Sequence, residues 1–380
     1  VILALTSSLA FALTLDEAVR RAAEVDPSAV VAELEWRQAR LDATAAWASL
    51  GVTPSVSVSR TFAAGANSDA TPVSVRLGVA DPPGWFAAAR ESTQSKQARV
   101  VADATTLDAQ YAAATLYYEV LAADAALEAA REGERFAKAT ADATAARVAA
   151  GLESELAGRS ARLGLLQAEA TTAGAEADLA IARARLGRAL HQEVDAVAPT
   201  PPLELPQEPG RSPWIDAAAM DVDVARLERG EAIAQLFPTG VLNASSSLTS
   251  LGDWSLTLGL SWTLDGVLSP FAQVKRAAIE QTIADIELDA TERDYALAAL
   301  TAREQARAAG RVAEAARARE ALANESLDVG QTRLSVGLAS SLEVLRLQDE
   351  AAQARADRVS AELVEAASRL EARRVAGIAW

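Results

Sequence analysis

The stretch WSLTLGLSWTL, Trp254 to Leu264, decides how this chain is read. Trp254, Leu256, Leu258, Leu260, Trp262 and Leu264 share one side of a period of two. Ser255, Thr257, Gly259, Ser261 and Thr263 share the other. So strict an alternation predicts a β-strand with one apolar and one hydroxylated face. The two tryptophans stand eight residues apart on the apolar face, about 26 Å at strand rise. A membrane barrel presents an apolar band about 25 Å tall, edged by aromatic girdles. Trp254 and Trp262 are therefore expected to form a lipid-facing girdle. The alternative is a soluble sandwich with two core tryptophans. The uniformly small and hydroxylated opposite face argues against it.

A weaker copy of the pattern stands earlier. Val56 and Val58 alternate with serines after Pro54, and Val73, Val75, Leu77 and Val79 alternate with Ser74, Arg76 and Gly78. Polar residues around Gly65 and Asn67 read as a loop between them. Four amphipathic strands are expected, in segments 53–82 and 238–266. Each strand pair leads into a long helical stretch, about Gly84 to Ala150 and about Val267 to Val336. Helices of that size span roughly 100 Å, too long for a compact domain.

Each long helix ends in nearly the same six letters, GLESEL (Gly151–Leu156) and GLASSL (Gly337–Leu342). The offset of 186 residues also places Arg147 on Arg333, Gln167 on Gln353 and Ala168 on Ala354. This reads as a duplicated structural half. The first repeat is assigned to residues 13–196, the second to 214–380, and the proline-rich segment 197–213 to an extended linker between them. After each Gly-Leu pair a shorter helix returns with a heptad seam. It runs through Leu338, Leu342, Leu345, Ala352, Ala356, Val359, Leu363, Ala366 and Leu370, and in the first copy through Leu152, Leu156, Leu163, Leu166, Ala170, Ala173 and Ala177. Short helices over Asp16–Leu50 and Trp214–Leu236 are expected to cover what the return helices leave bare.

Composition narrows the function. The 380 residues are 50% hydrophobic but only 4% aromatic, so much of the apolar content is alanine and suits closely packed helices. No cysteine is present, which excludes disulfides and thiolate metal sites. One histidine and one methionine make a poor ligand set for a transition metal. A net charge of −16 argues against nucleic acid as a partner. The opening VILALTSSLAFA ends in Ala10-Phe11-Ala12 and reads as a partial signal peptide over residues 1–12. His191 closes a helix and is expected to be a C-terminal cap or surface residue. Glu153 and Glu155 have no His or Ser beside them to complete a catalytic set. No phosphate loop or cofactor motif is present, so the chain reads as neither an enzyme nor a cofactor carrier.

Four strands cannot close a membrane barrel, since known ones begin at eight, and an open edge is not tolerated in lipid. At this point the chain resembles the TolC family of outer-membrane efflux proteins. The likeness is carried by LTLDEAVRRAAEVDP (Leu13–Pro27), SLTLGLSWTLDG (Ser255–Gly266) and RLSVGLASSLEVLRLQDEAAQAR (Arg333–Arg355), in that order and with duplication. The resemblance implies a mainly α fold with β. Long helical hairpins form a periplasmic α-barrel, and three chains of four strands form a twelve-stranded β-barrel in outer-membrane lipid. It implies a homotrimer that acts as an exit duct. Its partners would be a periplasmic adaptor and an inner-membrane transporter of the RND, MFS or ABC type. The helix-turn-helix tips would meet the adaptor: Gly151, Leu152 and Ser154 in the first copy, and Val336, Gly337, Leu338 and Ser340 in the second. Two tips per chain would give six docking positions. Acidic residues six and nine positions past the second tip glycine would ring the closed pore. Those positions hold Glu343 and Arg346, so one carboxylate is kept and one is replaced by a cation. Glu343 is expected at a three-fold constriction, paired with Arg346 of its own or a neighbouring chain. The role is efflux or type I protein secretion, with a structural coiled-coil envelope protein as the alternative.

Overall fold

The computed structural model describes residues 12–56, 59–63, 66–70, 72–201, 203–206, 210–247, 250–261, 269–336, 338–378 and 380. The expected signal peptide, apart from Ala12, and Trp262 and Gly337 lie outside them. The chain begins with α1 (Leu15–Val25) and α2 (Pro27–Ser49). Strands β1 (Val52–Val56), β2 (Ser59–Ala63), β3 (Ala66–Ala70) and β4 (Pro72–Ala80) follow, then the long α3 (Pro82–Ala149) and its return α4 (Glu155–Leu190). The second half repeats this with α5 (Pro213–Ala234), β5 (Thr239–Ser247), β6 (Ser250–Ser261), α6 (Ser269–Ser335) and α7 (Ser341–Val375).

Local chemistry explains most of the helix ends. Thr14 caps α1 by accepting the Glu17 N–H, and Asp16 and Glu17 sit in its first turn, where the helix dipole favours acids. Ser212 caps α5, with Pro213 at its first position, where a missing N–H costs nothing. His191 closes α4 in the left-handed region, φ 50°, its N–H reaching back to Arg188 and Gly187. One expectation is corrected. The polar run after Phe62 is not a broad loop: Ala66–Ala70, with Asn67, forms β3 and pairs antiparallel with β2, so that Phe62 faces Asn67. Backbone pairing overrides the weak strand propensity of Asn, Ser and Asp there.

The chain divides into two units, each drawing on both repeats. The first takes the residues through Ala29 with Thr106–Gly210 and Ala296–Trp380; the second takes Val30–Thr105 and Arg211–Tyr295. The second holds an antiparallel sheet of order β1-β4-β5-β6, so the two repeats meet where β4 pairs with β5.

The core of the first unit gathers Leu15, Ala18, Val19, Tyr117, Leu186 and Leu190, all buried. Three tyrosines of α3 tie irregular segments to it. Tyr117 Oη lies 2.9 Å from the Leu13 carbonyl and 2.6 Å from that of Ala198. Tyr118 Oη donates to Pro201 O at 2.8 Å and Tyr111 Oη to Ile378 O at 2.8 Å. The start of the linker is thus docked, and Leu13 and Val197 form a parallel bridge. Burial pushes all three hydroxyls up, Tyr118 to about 12, so they remain donors at neutral pH. Tyr117→Phe removes one donor shared between two carbonyls, which keep the Ala198 N–H and the Thr200 hydroxyl as their other partners. It should cost about 1 kcal/mol, read as a lower midpoint in helix-monitored thermal unfolding; an unchanged midpoint would show that the clasp contributes nothing.

The heptad seam needs correction near the tips. In α7 the buried positions are Val344, Ala351, Ala354, Val359, Glu365, Ala366, Leu370, Ala372 and Val375, so the expected seam holds only from Val359 onward. Leu338 and Leu342 are exposed. In α4 the expected seam is exposed throughout, and Ala161, Thr172 and Leu179 are buried instead. Within one chain, small residues pack where α4 and α7 meet their neighbours, and most of the leucine face is left exposed.

Candidate functional site

Cross-strand register sorts the sheet by face. Leu77 pairs with Leu242 and Leu242 with Leu258; Val75 pairs with Ala244 and Ala244 with Leu256. One residue along, Ser74 pairs with Ser245 and Ser245 with Ser255. Because side chains alternate with period two, aliphatic rows run across one face and hydroxyl rows across the other. On the hydroxyl face Ser245 Oγ and Ser255 Oγ are 2.8 Å apart, and Thr239 Oγ1 and Ser261 Oγ 2.7 Å. On the aliphatic face Trp254, Leu258 and Leu260 are 72%, 74% and 75% exposed. Burial in water-soluble proteins would remove such a contiguous apolar face from solvent. Trp254 stands toward one end of this face. Trp262, expected at the other border, lies outside the described residues. Among the described residues the outer edges of β1 and β6 have no strand beside them. No described helix is long and apolar enough to cross a membrane.

At the first tip, Gly151 adopts φ 71°, which a Cβ would disfavour. Its N–H reaches Val148 O at 2.9 Å, and the Leu152 N–H reaches Arg147 O at 2.9 Å. These are the two bonds of a Schellman cap. At the second tip the Leu338 N–H makes the matching bond to Arg333 O at 2.7 Å. Ser154 then caps α4 by accepting the Ala157 N–H, and Ser340 caps α7 by accepting the Glu343 N–H, each at 3.2 Å. Glycine and serine therefore have local structural work at the described positions. The leucines do not. A Schellman cap commonly packs its last residue on an apolar one a turn earlier, but that place holds Arg147 or Arg333. Leu152 and Leu338 are 72% and 70% exposed, and Val336, Leu156 and Leu342 are exposed beside them.

Glu343 and Arg346 line a cavity of about 1700 Å³, with Leu163 and Gln167 of α4 on its wall. The pairing expected between them does not form within the chain. Glu343 lies 3.7 Å from Arg333, and Arg346 lies 3.1 Å from Glu350, one turn along its own helix. Helix side chains meet at both i+3 and i+4; Arg346 takes Glu350 at i+4, and Glu343 is left to Arg333, which closes the preceding helix beside the cap. The repeat alignment of Arg147 with Arg333 held a trace of this, because Arg147 likewise reaches an acid of its own tip, Glu153, at 3.5 Å. Among the described residues no three His, Asp or Glu side chains gather as a metal would require.

Residues 205–377 match the family model described as outer membrane efflux protein. That match falls within the second repeat. Solved structures extend the likeness to the fold of the whole chain. CusC, in a study of folding and transmembrane channel formation, superposes with a TM-score of 0.83 at 16% identity, over 96% of this chain and 92% of its own. The Campylobacter jejuni CmeC outer membrane channel gives 0.81 at 15%, over 96% and 85%. The Vibrio cholerae outer membrane protein VceC gives 0.79 at 17%, over 96% of both chains. At these identities the likeness is one of fold. No curated protein sequence matches the chain. The efflux-protein domain and the shared fold bear out the TolC-family resemblance read from the sequence.

Proposed function

We propose that three copies of this chain form a passive exit duct in the outer membrane. The sheet carries this reading: an exposed apolar face, a hydroxylated face opposite it, and two open edges. Pairing β6 of one copy with β1 of the next turns the four-stranded sheets into a closed twelve-stranded barrel, with leucines toward lipid and hydroxyls toward water. Closure removes the edges that lipid would not tolerate. The helices then form a hollow barrel in the periplasm. Its tips, presenting Leu152, Val336 and Leu338, dock a periplasmic adaptor joined to an inner-membrane transporter of the RND, MFS or ABC type. Cargo leaves by efflux, or by type I secretion if the transporter is an exporter of proteins. Glu343 lines the closed end, where Arg333 holds its carboxylate.

The test is single-channel current from purified protein in a planar bilayer under a salt gradient, for wild type and Glu343→Gln. Small cation-biased currents that grow or lose selectivity in the variant are the expected result. Currents indifferent to the variant would keep the duct and remove Glu343 from its constriction. Protein that neither inserts nor oligomerises would favour a structural coiled-coil role.

A further inference from the structure

The cavity of about 1700 Å³ lies wholly within the first unit, between α3, α4, α6 and α7. Its walls are mainly apolar, with exposed Phe136 of α3 and exposed Leu163 of α4 among them. Two glycines of the walls show its shape. A Cβ on Gly164 of α4 would touch Leu345 of α7 at 3.8 Å, so those two walls are close. A Cβ on Gly133 of α3 would meet nothing within 4 Å, so the space beside α3 is open. A drug-sized ligand occupies a site of about 300–1000 Å³, and this cavity is larger.

One wall position is out of character. The duplication offset of 186 residues sets Leu163 of α4 against Asp349 of α7, and both line the cavity. Asp349 stands four residues past Leu345 and three before Ala352, where the heptad of α7 asks for an apolar side chain. Both arginines of the walls are taken, Arg346 by Glu350 at 3.1 Å and Arg355 by Glu132 at 2.7 Å. Among the described residues no cation or side-chain hydrogen bond reaches the carboxylates of Asp349, of Asp328 on α6 or of Asp178 on α4, which also line the cavity. Measured from the tip-side helix ends at 1.5 Å per residue, Asp328, Asp349 and Leu163 stand at ~10, ~12 and ~12 Å, and Phe136 at ~20 Å. Two uncompensated carboxylates and an apolar patch therefore share one stretch of the cavity.

We propose that this cavity binds an amphipathic organic cation, its charge met by Asp349 and Asp328 and its apolar body by Phe136, Leu163 and Leu345. Charge complementarity selects the occupant. The walls offer carboxylates without partners and, among the described residues, no free arginine, so an anion would meet only repulsion. An acid placed on an apolar seam loses packing and has no partner in its own chain; a bound cation supplies one. An aromatic ring adds to the attraction for a cation. The site rests on the duct reading above and names a class of cargo that the duct wall would hold.

Ethidium is the probe, titrated by fluorescence anisotropy into purified full-chain protein in detergent, with anilinonaphthalene sulfonate as the anionic counterpart. Asp349→Leu installs the residue of the first repeat, Asp349→Glu keeps the charge, and Gly133→Leu fills the open space. Ethidium should bind the wild type and Asp349→Glu alike, and Asp349→Leu about fivefold or more weakly, the loss of one ion pair. Gly133→Leu should weaken it as well, and the anion should not bind comparably. Unchanged ethidium affinity in Asp349→Leu would overturn the proposal. If that variant fails to form trimers, unchanged affinity in Gly133→Leu overturns it instead. Equal binding of the anion would overturn it too, and leave the groove as an apolar seat for a partner's helix. Conductance of the same samples in a planar bilayer separates the two readings. Conductance without ethidium binding removes the site and keeps the duct; protein that never inserts overturns both.

Discussion

Leu258→Arg should cost about 2–4 kcal/mol of barrel stability, the cost of a cation facing lipid near the bilayer midplane. The row Leu77-Leu242-Leu258 puts this position in the middle of the apolar face, and Leu258 meets no covering layer in its own chain. The variant should lose heat-resistant trimers and vanish from the outer-membrane fraction. Thr257→Lys, one residue along and on the hydroxyl face, should assemble normally. That contrast is the measurement, because a general intolerance of β6 to charge would affect both. Normal assembly of Leu258→Arg would mean that this face does not meet lipid.

Export should fail in the double variant Leu152→Asp/Leu338→Asp while trimers and bilayer conductance persist. Both leucines lie past the last turn of a long helix, and neither contributes a side chain to the buried core. Stability should therefore change little. If each is an anchor for the adaptor, losing about 2 kcal/mol at each weakens docking on the order of a thousandfold. Export would be measured in cells carrying the cognate adaptor and pump, with trimer content from the same membranes. Undiminished export would remove the leucines from docking. Lost trimers would reassign them to assembly.

Much of this was legible because it is local. Alternation from Trp254 onward foretells β6, and the Ser154 and Ser340 caps follow from a hydroxyl placed just before a helical run. The duplicated Gly-Leu motif marks both turns for the same reason: a left-handed residue and a cap need only neighbours in sequence. The expected loop at Asn67 failed because strand pairing there comes from β2, which composition does not reveal. The leucine seam of α4 was a correct periodicity with the wrong partner assigned. Period tells that a face is apolar, not which surface covers it.

By itself the sequence determined the repeat, the helix lengths, the turn chemistry and a two-faced strand, all set by spacing along the chain. Only the tertiary structure decided that β4 joins β5 across the two repeats. It also decided that Glu343 turns to Arg333 rather than Arg346, and that the leucine face of α4 is left exposed. Those outcomes depend on which elements lie side by side. Side-by-side placement is set by long-range register and by the competition of faces for burial, which no window of sequence contains.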